Sequence, residues 1–285
     1  MRFLKKIIVC FLLVLSLLAL VSCDDDTDKL VVGVTIIPQS TFVKKVCGDL
    51  VDVVTIVPTG SSPETFEPKP KDMIKLNKAI AYFTIGIPTE NTNVLANLTK
   101  DTKIVRLEEK CQEVYEDVLF STGGRDPHIW LSPKRVIVMV EAIRDEMMAL
   151  DPLNSSTYRQ NAKLYIEELK SLDSKIKTAV EKTETKDFIA FHPAFGYLAS
   201  DYGLTMYALE EDGKEATIDH LTKMIDFAKD KGIKVIFYQE EIDSSQSKTF
   251  ADEIEGVAVK LEPLSADYTD NLLNMAKTIA SLKHE

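Results

Sequence analysis

The sequence has little histidine, little cysteine and too few basic residues to balance its acidic ones. Its 285 residues include four His and four Cys, and 34 Lys and Arg stand against 45 Asp and Glu, which gives a net charge of −11 at pH 7. A nucleic-acid surface needs clustered Lys and Arg, so this balance argues against one. The ordinary hydrophobic and charged contents also exclude a disordered chain, a coiled-coil rod and a polytopic membrane protein.

Several short motifs that mark enzymes are also absent. The sequence contains no H-E-x-x-H pair, no G-x-S-x-G elbow and no phosphate-binding loop. It therefore offers no direct sign of a common hydrolase or nucleotide-binding enzyme. A chain of this length fits one large domain or two medium ones.

The N-terminus resembles a bacterial lipoprotein signal peptide over residues 1–22. Three basic residues precede an uncharged run at 7–21, which is rather short to span a bilayer unaided. The run ends in Leu-Val-Ser before Cys23, so we expect cleavage there and a lipid on Cys23. The Asp-rich segment 23–29 is then a solvated tether to the membrane outside the cytoplasm. An ordinary secretory signal with an incidental Cys, or an uncleaved anchor, is the alternative.

Two further cysteines belong to the predicted mature chain, Cys47 and Cys111. They could form a disulfide in an oxidising compartment, but the sequence does not supply their separation. The interpretation we favour is that each is a buried apolar residue.

Apolar, β-branched runs alternate with segments of helical spacing along most of the chain. Strands alternating with helices indicate an α/β fold with a mostly parallel sheet covered by helices. The runs that predict strands are 30–37, 51–57, 79–85, 103–107, 188–191, 205–208, 234–238 and 257–261.

The middle of the chain predicts two helices in succession. Ser132 and Pro133 are a typical helix start, and a second helix covers about 155–182 with one narrow apolar seam. At ~1.5 Å per residue this second helix would be ~40 Å long, enough to join two lobes rigidly. The predicted organisation is an N-terminal α/β lobe, a linking helix and a C-terminal α/β lobe, at 30–153, 154–185 and 186–285.

Candidate ligands follow the predicted strands in both halves of the chain. In open α/β sheets, ligands bind at the carboxyl ends of strands, which is where Glu64, His128, His192, Glu241 and Asp267 are expected. A lone His is more often a core residue, but His128 and His192 both follow strands and both lie beside Pro. Imidazole and carboxylate ligands suit zinc, and manganese tolerates them.

Five motifs carry a family resemblance that covers nearly all of the mature chain. They are Val-Val-Gly-Val-Thr-Ile-Ile-Pro at 31–38, Ser-Pro-Glu-Thr-Phe-Glu-Pro at 62–68, Asp-Pro-His-Ile-Trp-Leu-Ser-Pro at 126–133, Ala-Phe-His-Pro-Ala-Phe at 190–195 and Asp-Tyr-Gly-Leu at 201–204. In these motifs and their order, the chain resembles the zinc- and manganese-binding proteins of ABC importers, the ZnuA/TroA-like cluster.

The resemblance implies two lobes joined by a rigid helix, with one metal in the cleft between them. By position it implies Glu64, His128 and His192 as ligands, where Glu64 replaces the His of many relatives. Asp267 fits the late acidic ligand of the family best, and Glu241 is the runner-up. The His-rich loop of zinc members corresponds to residues 110–125, which contain no His, so a metal-scavenging loop is missing.

The resemblance also implies a function. His192 at the third ligand position favours Zn2+ as the transported ion, while two His and two carboxylates leave Mn2+ as the alternative. The expected protein is a monomer that is not an enzyme and delivers its metal to a membrane permease driven by a cytoplasmic ATPase. Two rivals remain: a metal-dependent hydrolase with an open coordination position, and an adhesin lipoprotein without a tight metal site.

Overall fold

The computed structural model describes residues 29–210, 216–242 and 245–282. The predicted signal peptide, Cys23 and most of the tether 23–29 therefore lie outside the described residues. Within the described ranges, no helix is both long and apolar enough to cross a membrane.

The first lobe is built on a four-stranded parallel sheet in the order β2-β1-β3-β4. All four strands correspond to predicted ones. Because the chain order reverses between the central strands, the loops after them separate there and leave a crevice at the carboxyl ends. The elements of this lobe are β1 Leu30–Val34, α1 Ile37–Cys47, β2 Val51–Thr55, α2 Pro70–Leu76, β3 Ala79–Thr84, β4 Lys103–Arg106, α3 Leu107–Gln112 and α4 Pro133–Leu150.

A single long helix, α5 Ser155–Glu181, follows and confirms the predicted linking helix. Its 27 residues bury one stripe, and at ~1.5 Å per residue they span ~40 Å. The helix packs along α1 and α4 of the first lobe and along the last helix of the second. The buried stripe consists of Tyr158, Ala162, Tyr165, Ile166, Leu169, Leu172, Ile176 and Val180.

The second lobe repeats the topology of the first. Its four-stranded parallel sheet has the order β6-β5-β7-β8, with the same reversal beside the first strand. Both lobes therefore present a crevice at the carboxyl ends of their central strands. The elements are β5 Asp187–Ala190, α6 Gly196–Tyr202, β6 Thr205–Ala208, α7 Ile218–Lys231, β7 Val235–Gln239, α8 Ser245–Glu253, β8 Val257–Leu261 and α9 Tyr268–Ala280.

The first predicted strand, 30–37, was too long, because a helix already begins at Ile37. The side-chain oxygen of Gln39 accepts the backbone N–H groups of Thr35 at 2.9 Å and Ile36 at 3.1 Å. These bonds satisfy two backbone N–H groups that would otherwise have needed partners on a neighbouring strand. Pro38, in the first helical turn, has no N–H and so adds no unsatisfied donor. The β-branched run therefore ends as a capped helix start.

Buried hydrogen bonds tie the two lobes together beside the cleft. The indole N–H of Trp130 donates to the carbonyl of Pro263 at 2.9 Å, and the Tyr268 hydroxyl donates to the carbonyl of Trp130 at 2.7 Å. Trp130 belongs to the first lobe, and its two partners belong to the second. The segment that follows His128 is thus held by both lobes.

A buried ion pair forms a second tie between the lobes. The carboxylate of Asp201, on α6, accepts the Ser132 hydroxyl at 2.5 Å and the Arg135 guanidinium at 3.2 Å. Arg135 also donates to the carbonyl of Glu116 at 2.7 Å and lies 4.4 Å from the centre of the Tyr197 ring. The start of α4 is therefore fastened to the second lobe by a largely buried ion pair.

Cys47 and Cys111 are both buried free thiols. Burial raises the pKa of each to about 12, so both stay protonated and unreactive at neutral pH.

Removing the Asp201 carboxylate should destabilise the protein by about 3 kcal/mol, because it leaves the buried Arg135 charge without its anion. Asp145→Ala is the matched control, since Asp145 is exposed beside its partner Arg144 and the change should cost under about 1 kcal/mol. Urea unfolding of Asp201→Ala and Asp145→Ala measures both. Equal decreases in the free energy of unfolding would show that the interlobe ion pair stabilises the protein no more than the surface pair does.

Candidate metal centre

Three predicted ligands from the two lobes converge in the cleft. Glu64 lies in the loop after β2, His128 just before the short turn Ile129–Leu131, and His192 two residues after β5. One ligand atom from each of the three lies within 4.8 Å of the others. The structure therefore brings these three residues together. Glu64 and His192 follow their strands as expected, whereas α3 and a hairpin separate His128 from β4.

Their spacing matches a tetrahedral metal ion. The two histidine Nε2 atoms lie 3.3 Å apart, and Glu64 Oε1 lies 3.4 Å from His192 Nε2 and 3.9 Å from His128 Nε2. Ligand atoms about 2.0–2.1 Å from a tetrahedral zinc are about 3.3 Å from one another. The three atoms therefore form one face of a tetrahedron of nearly the right size.

Two buried carboxylates orient the imidazole rings. Asp126 Oδ1 accepts both the backbone N–H of His128 at 2.8 Å and its ring Nδ1–H at 2.7 Å. Glu210 Oε2 lies 2.5 Å from Nδ1 of His192. Each pair fixes the proton on Nδ1 and leaves Nε2 to face the cleft, which is the usual arrangement around a metal-binding histidine.

Sequence reasoning missed both of these supporting residues. Asp126 is the first residue of the motif at 126–133, but the sequence predicted no function for it. Glu210 follows β6, so the strand-end rule that found the ligands could have found it too.

The Glu64 loop is held through its backbone by the segment after β3. The Thr89 hydroxyl donates to the carbonyl of Glu64 at 2.9 Å. The next residue, Glu90, is 1% exposed and accepts the N–H groups of Ile85 at 3.0 Å and Gly86 at 2.8 Å, besides the hydroxyl of Thr35. A buried carboxylate thus organises the segment that positions the first ligand.

The His-free stretch 110–125 forms the end of α3 and a short hairpin at the cleft. Leu119 and Arg125 form an antiparallel bridge. The Arg125 guanidinium donates to the carbonyls of Ile85 at 3.1 Å and Gly86 at 2.7 Å. The hairpin that leads into Asp126 is therefore attached to the end of β3.

The electrostatics of the site favour a cation. Burial alone would raise the pKa of Glu64, but the hydrogen bond from His192 and the charges of His192 and His128 lower it, so the carboxylate is ionised. Burial alone would lower the pKa of His192, but its bonds to Glu210 and Glu64 raise it to about 9. A metal ion would displace this proton when it binds Nε2.

The structure does not bring Asp267 to this cluster. Asp267 is exposed at the start of α9, where its backbone N–H bonds to the Ser265 hydroxyl at 3.2 Å. The preceding carbonyl, of Ala266, accepts the Thr41 hydroxyl on α1 at 2.8 Å. This contact holds the loop on the outer side of the lobe, so the carboxylate begins a helix instead of facing the cleft.

Glu241, the alternative fourth ligand, does line the cluster. A narrow cavity of about 10 Å³ is bounded by Glu64, His128, His192 and Glu241, among others. The Oε2 atom of Glu241 is buried and has no hydrogen-bond partner among the described residues. Burial also raises the pKa of Glu241. A space of this size holds one ion or one water molecule.

A larger cavity of about 560 Å³ leads to the same ligands from outside. It is lined by residues of both lobes, including Glu64, Phe120, Arg125 and His192. It reaches two of the three ligands and provides a route for an ion from solvent. The indole of Trp130, 5.1 Å from the His128 ring, closes another side of the site.

Comparison with known proteins gives consistent similarities. The model of the family described as zinc-uptake complex component A, periplasmic (ZnuA), matches residues 32–282. The high-affinity zinc uptake system protein ZnuA of Bacillus subtilis is 32% identical over 267 residues, which cover 87% of this chain and 84% of that protein. The zinc-binding lipoprotein AdcA of Streptococcus pneumoniae is 30% identical over 274 residues, but this chain spans only 54% of its length.

Solved structures show the same fold. A crystal structure of ZnuA has a TM-score of 0.82 and 32% identity, and the match covers 88% of this chain and 98% of that one. A manganese-bound mutant of a periplasmic metal-binding protein from Candidatus Liberibacter asiaticus has a TM-score of 0.78 and 25% identity, with 88% and 98% covered.

The buried carboxyl of Glu90 should make stability fall as pH rises. Burial is the largest cause that raises its pKa, to about 7 from 4.5. Its contribution is therefore complete below pH 4.5 and is lost as the pH rises through 7, by about 3 kcal/mol. Urea unfolding between pH 4.5 and 8 should show this loss in the parent and not in Glu90→Gln. Exposed Glu113 is the control, and Glu113→Gln should keep the parental slope. Parallel pH profiles for the parent and Glu90→Gln would contradict the assignment.

Proposed function

Because this chain belongs to the ZnuA family of periplasmic zinc-uptake components, we propose that it captures zinc between its lobes and delivers it to an ABC import permease. The observation that carries the proposal is the triangle of two Nε2 atoms and one carboxylate oxygen with tetrahedral spacing. The family consists of metal-binding transport proteins and not of enzymes, so the hydrolase alternative is set aside.

The proposed ligands are Glu64, His128, His192 and Glu241. Two histidines and two carboxylates complete a tetrahedron without an open position, which suits a site that holds an ion and performs no hydrolysis. Glu241 takes the place first expected for Asp267, since its buried oxygen borders the ligand cavity and Asp267 faces solvent.

Zinc is the favoured ion, and manganese is the second candidate. Imidazole nitrogen and a compact tetrahedral site suit zinc, and the relatives named above are described as zinc-binding proteins. In the sense of hard and soft ligands, two carboxylate oxygens make this site harder than a site with three histidine nitrogens. That favours manganese relatively more, and a similar fold holds manganese in a relative at 25% identity.

Capture is proposed to proceed through the 560 Å³ cavity with little movement of the lobes. The long helix α5, the Trp130 contacts and the Asp201 ion pair all connect the lobes, so large hinge opening is restricted. The loaded protein then docks on the permease, whose cytoplasmic ATPase drives import. All four ligands come from one chain, so a monomer suffices.

The proposed location is the outer face of the cytoplasmic membrane, with a lipid on Cys23 as the anchor. The lipobox-like end of the signal sequence supports this. The relative AdcA is itself described as a lipoprotein.

Removing either histidine should abolish tight zinc binding. His128→Ala and His192→Ala should each weaken zinc affinity by more than about 100-fold, because each deletes a ligand and leaves a buried carboxylate without its partner. Competition with a chromophoric chelator, using protein from residue 24 onward, measures this. His220→Ala, outside the ligand cluster, is the control and should bind normally. Unchanged zinc affinity in both ligand variants would contradict the import proposal and favour the adhesin alternative.

The fourth ligand can be tested with two matched changes of carboxylate to amide. Glu241→Gln should weaken zinc binding by about 10-fold or more, because it removes an anionic ligand, whereas Asp267→Asn should leave it unchanged. The same competition assay compares them. The reverse result would restore Asp267 and exclude Glu241.

A further inference from the structure

Three ligands of the proposed site are held by a polar group elsewhere in the chain, whereas the Glu241 carboxylate has a hydrogen bond from its own backbone. Asp126 holds His128, Glu210 holds His192, and Thr89 holds the backbone of Glu64. No such partner is seen for the Oε2 atom of Glu241 in the part of the chain that the structure describes. The pattern raises the question of which group orients this carboxylate when it binds metal.

Gln239 has the right position and chemistry for that role. It is the last residue of β7, it is 6% exposed, and it lines the same narrow cavity as Glu241 and the other ligands. Its backbone is paired with Leu261 of β8, so the residue is fixed in the sheet. Its side-chain Nε2 is buried and has no acceptor among the residues described.

The two unpartnered atoms complement each other. Buried amide donors and carboxylate acceptors are almost always hydrogen-bonded, because an unpaired one costs free energy. Here a donor on Gln239 and an acceptor on Glu241 border one small cavity. Glu241 lies in the turn that follows β7, two positions after Gln239, and both side chains border the same cavity.

We propose that Gln239 is a positioning residue for Glu241. When the metal binds, the Nε2–H of Gln239 donates to one carboxylate oxygen of Glu241 and thereby directs the other oxygen to the metal. This inference rests on the proposed function and gives the fourth ligand the kind of support that the other three already have.

The first test compares zinc affinity with the stability of the metal-free protein. Gln239→Leu should lower zinc affinity by about 10- to 100-fold, as loss of a supporting partner usually does. The Tm of the metal-free protein should stay the same or rise, because leucine removes an unpartnered buried donor. Gln160→Leu, at an exposed position of α5, is the matched control and should change neither value. Unchanged affinity in Gln239→Leu overturns the proposal, and a large fall in Tm makes the residue merely structural.

Gln239→Glu distinguishes a positioning amide from a metal ligand. A carboxylate cannot donate to Glu241 and repels it, so zinc affinity should fall. Tighter binding would mean that residue 239 coordinates the ion itself, which overturns the positioning role.

A double-mutant cycle provides the decisive result. If Gln239 acts through Glu241, Gln239→Leu should cause no further loss of affinity in a Glu241→Gln background. Additive losses would show that Gln239 acts independently and would overturn the proposal. The unaltered protein is measured alongside: its failure to bind zinc would overturn the proposed function as well, whereas normal binding confines any failure to Gln239.

Discussion

The site depends on the hydrogen bonds between two buried carboxylates and two imidazoles. Asp126 and Glu210 each occupy Nδ1 of one histidine, so both Nε2 atoms face the same point in the cleft. One pair belongs to each lobe: His192 lies just beyond the carboxyl end of β5, and His128 follows the hairpin after α3. The repeated sheet order explains how two separate crevices can meet: each lobe opens where its strand order reverses, and the ligands border both openings.

Around this point several ionisable side chains are buried or half-buried. Glu90 lies under the Glu64 loop, Arg125 fastens the hairpin that leads to Asp126, and Arg135 joins the lobes through Asp201. Buried charges of this kind are a poor way to gain stability, because desolvation cancels much of their attraction. They are directional, however, and each of these contacts fixes a segment that carries a ligand or its support. We interpret them as the means by which ligands far apart in sequence keep a fixed geometry.

The fold and most of the site could be predicted from the sequence because both follow from local patterns. Alternating β-branched runs and helical spacing predict the strands and α5. Glu64 and His192 follow strands directly, and His128 belongs to a motif after the longer segment that follows β4. What failed required the path of the chain in space. Asp267 also follows a strand, but a contact between Ala266 and Thr41, 225 positions apart, turns its loop outward. Glu210 also follows a strand, but its bond to a histidine 18 residues away depends on the pairing of β5 with β6. Ile37 was assigned to a strand because it ends a β-branched run. The helix begins there because the Gln39 side chain accepts backbone N–H groups of the preceding turn, and residue type alone does not predict that bond.

The ties between the lobes also bear on how long an ion stays in transit. Separating the lobes would break the two Trp130 hydrogen bonds as well as the Asp201 ion pair, whose charges would regain water. At about 1 kcal/mol for each hydrogen bond, the open form would be a minor population. An ion in the cleft would then leave mainly by the route through which it entered, the 560 Å³ cavity, at a rate set by how tightly its ligands hold it. Fast unloading would need a permease surface that grips both lobes and pulls these bonds apart. The same contacts that shape the site would in that way make fast delivery conditional on arrival at the right membrane partner.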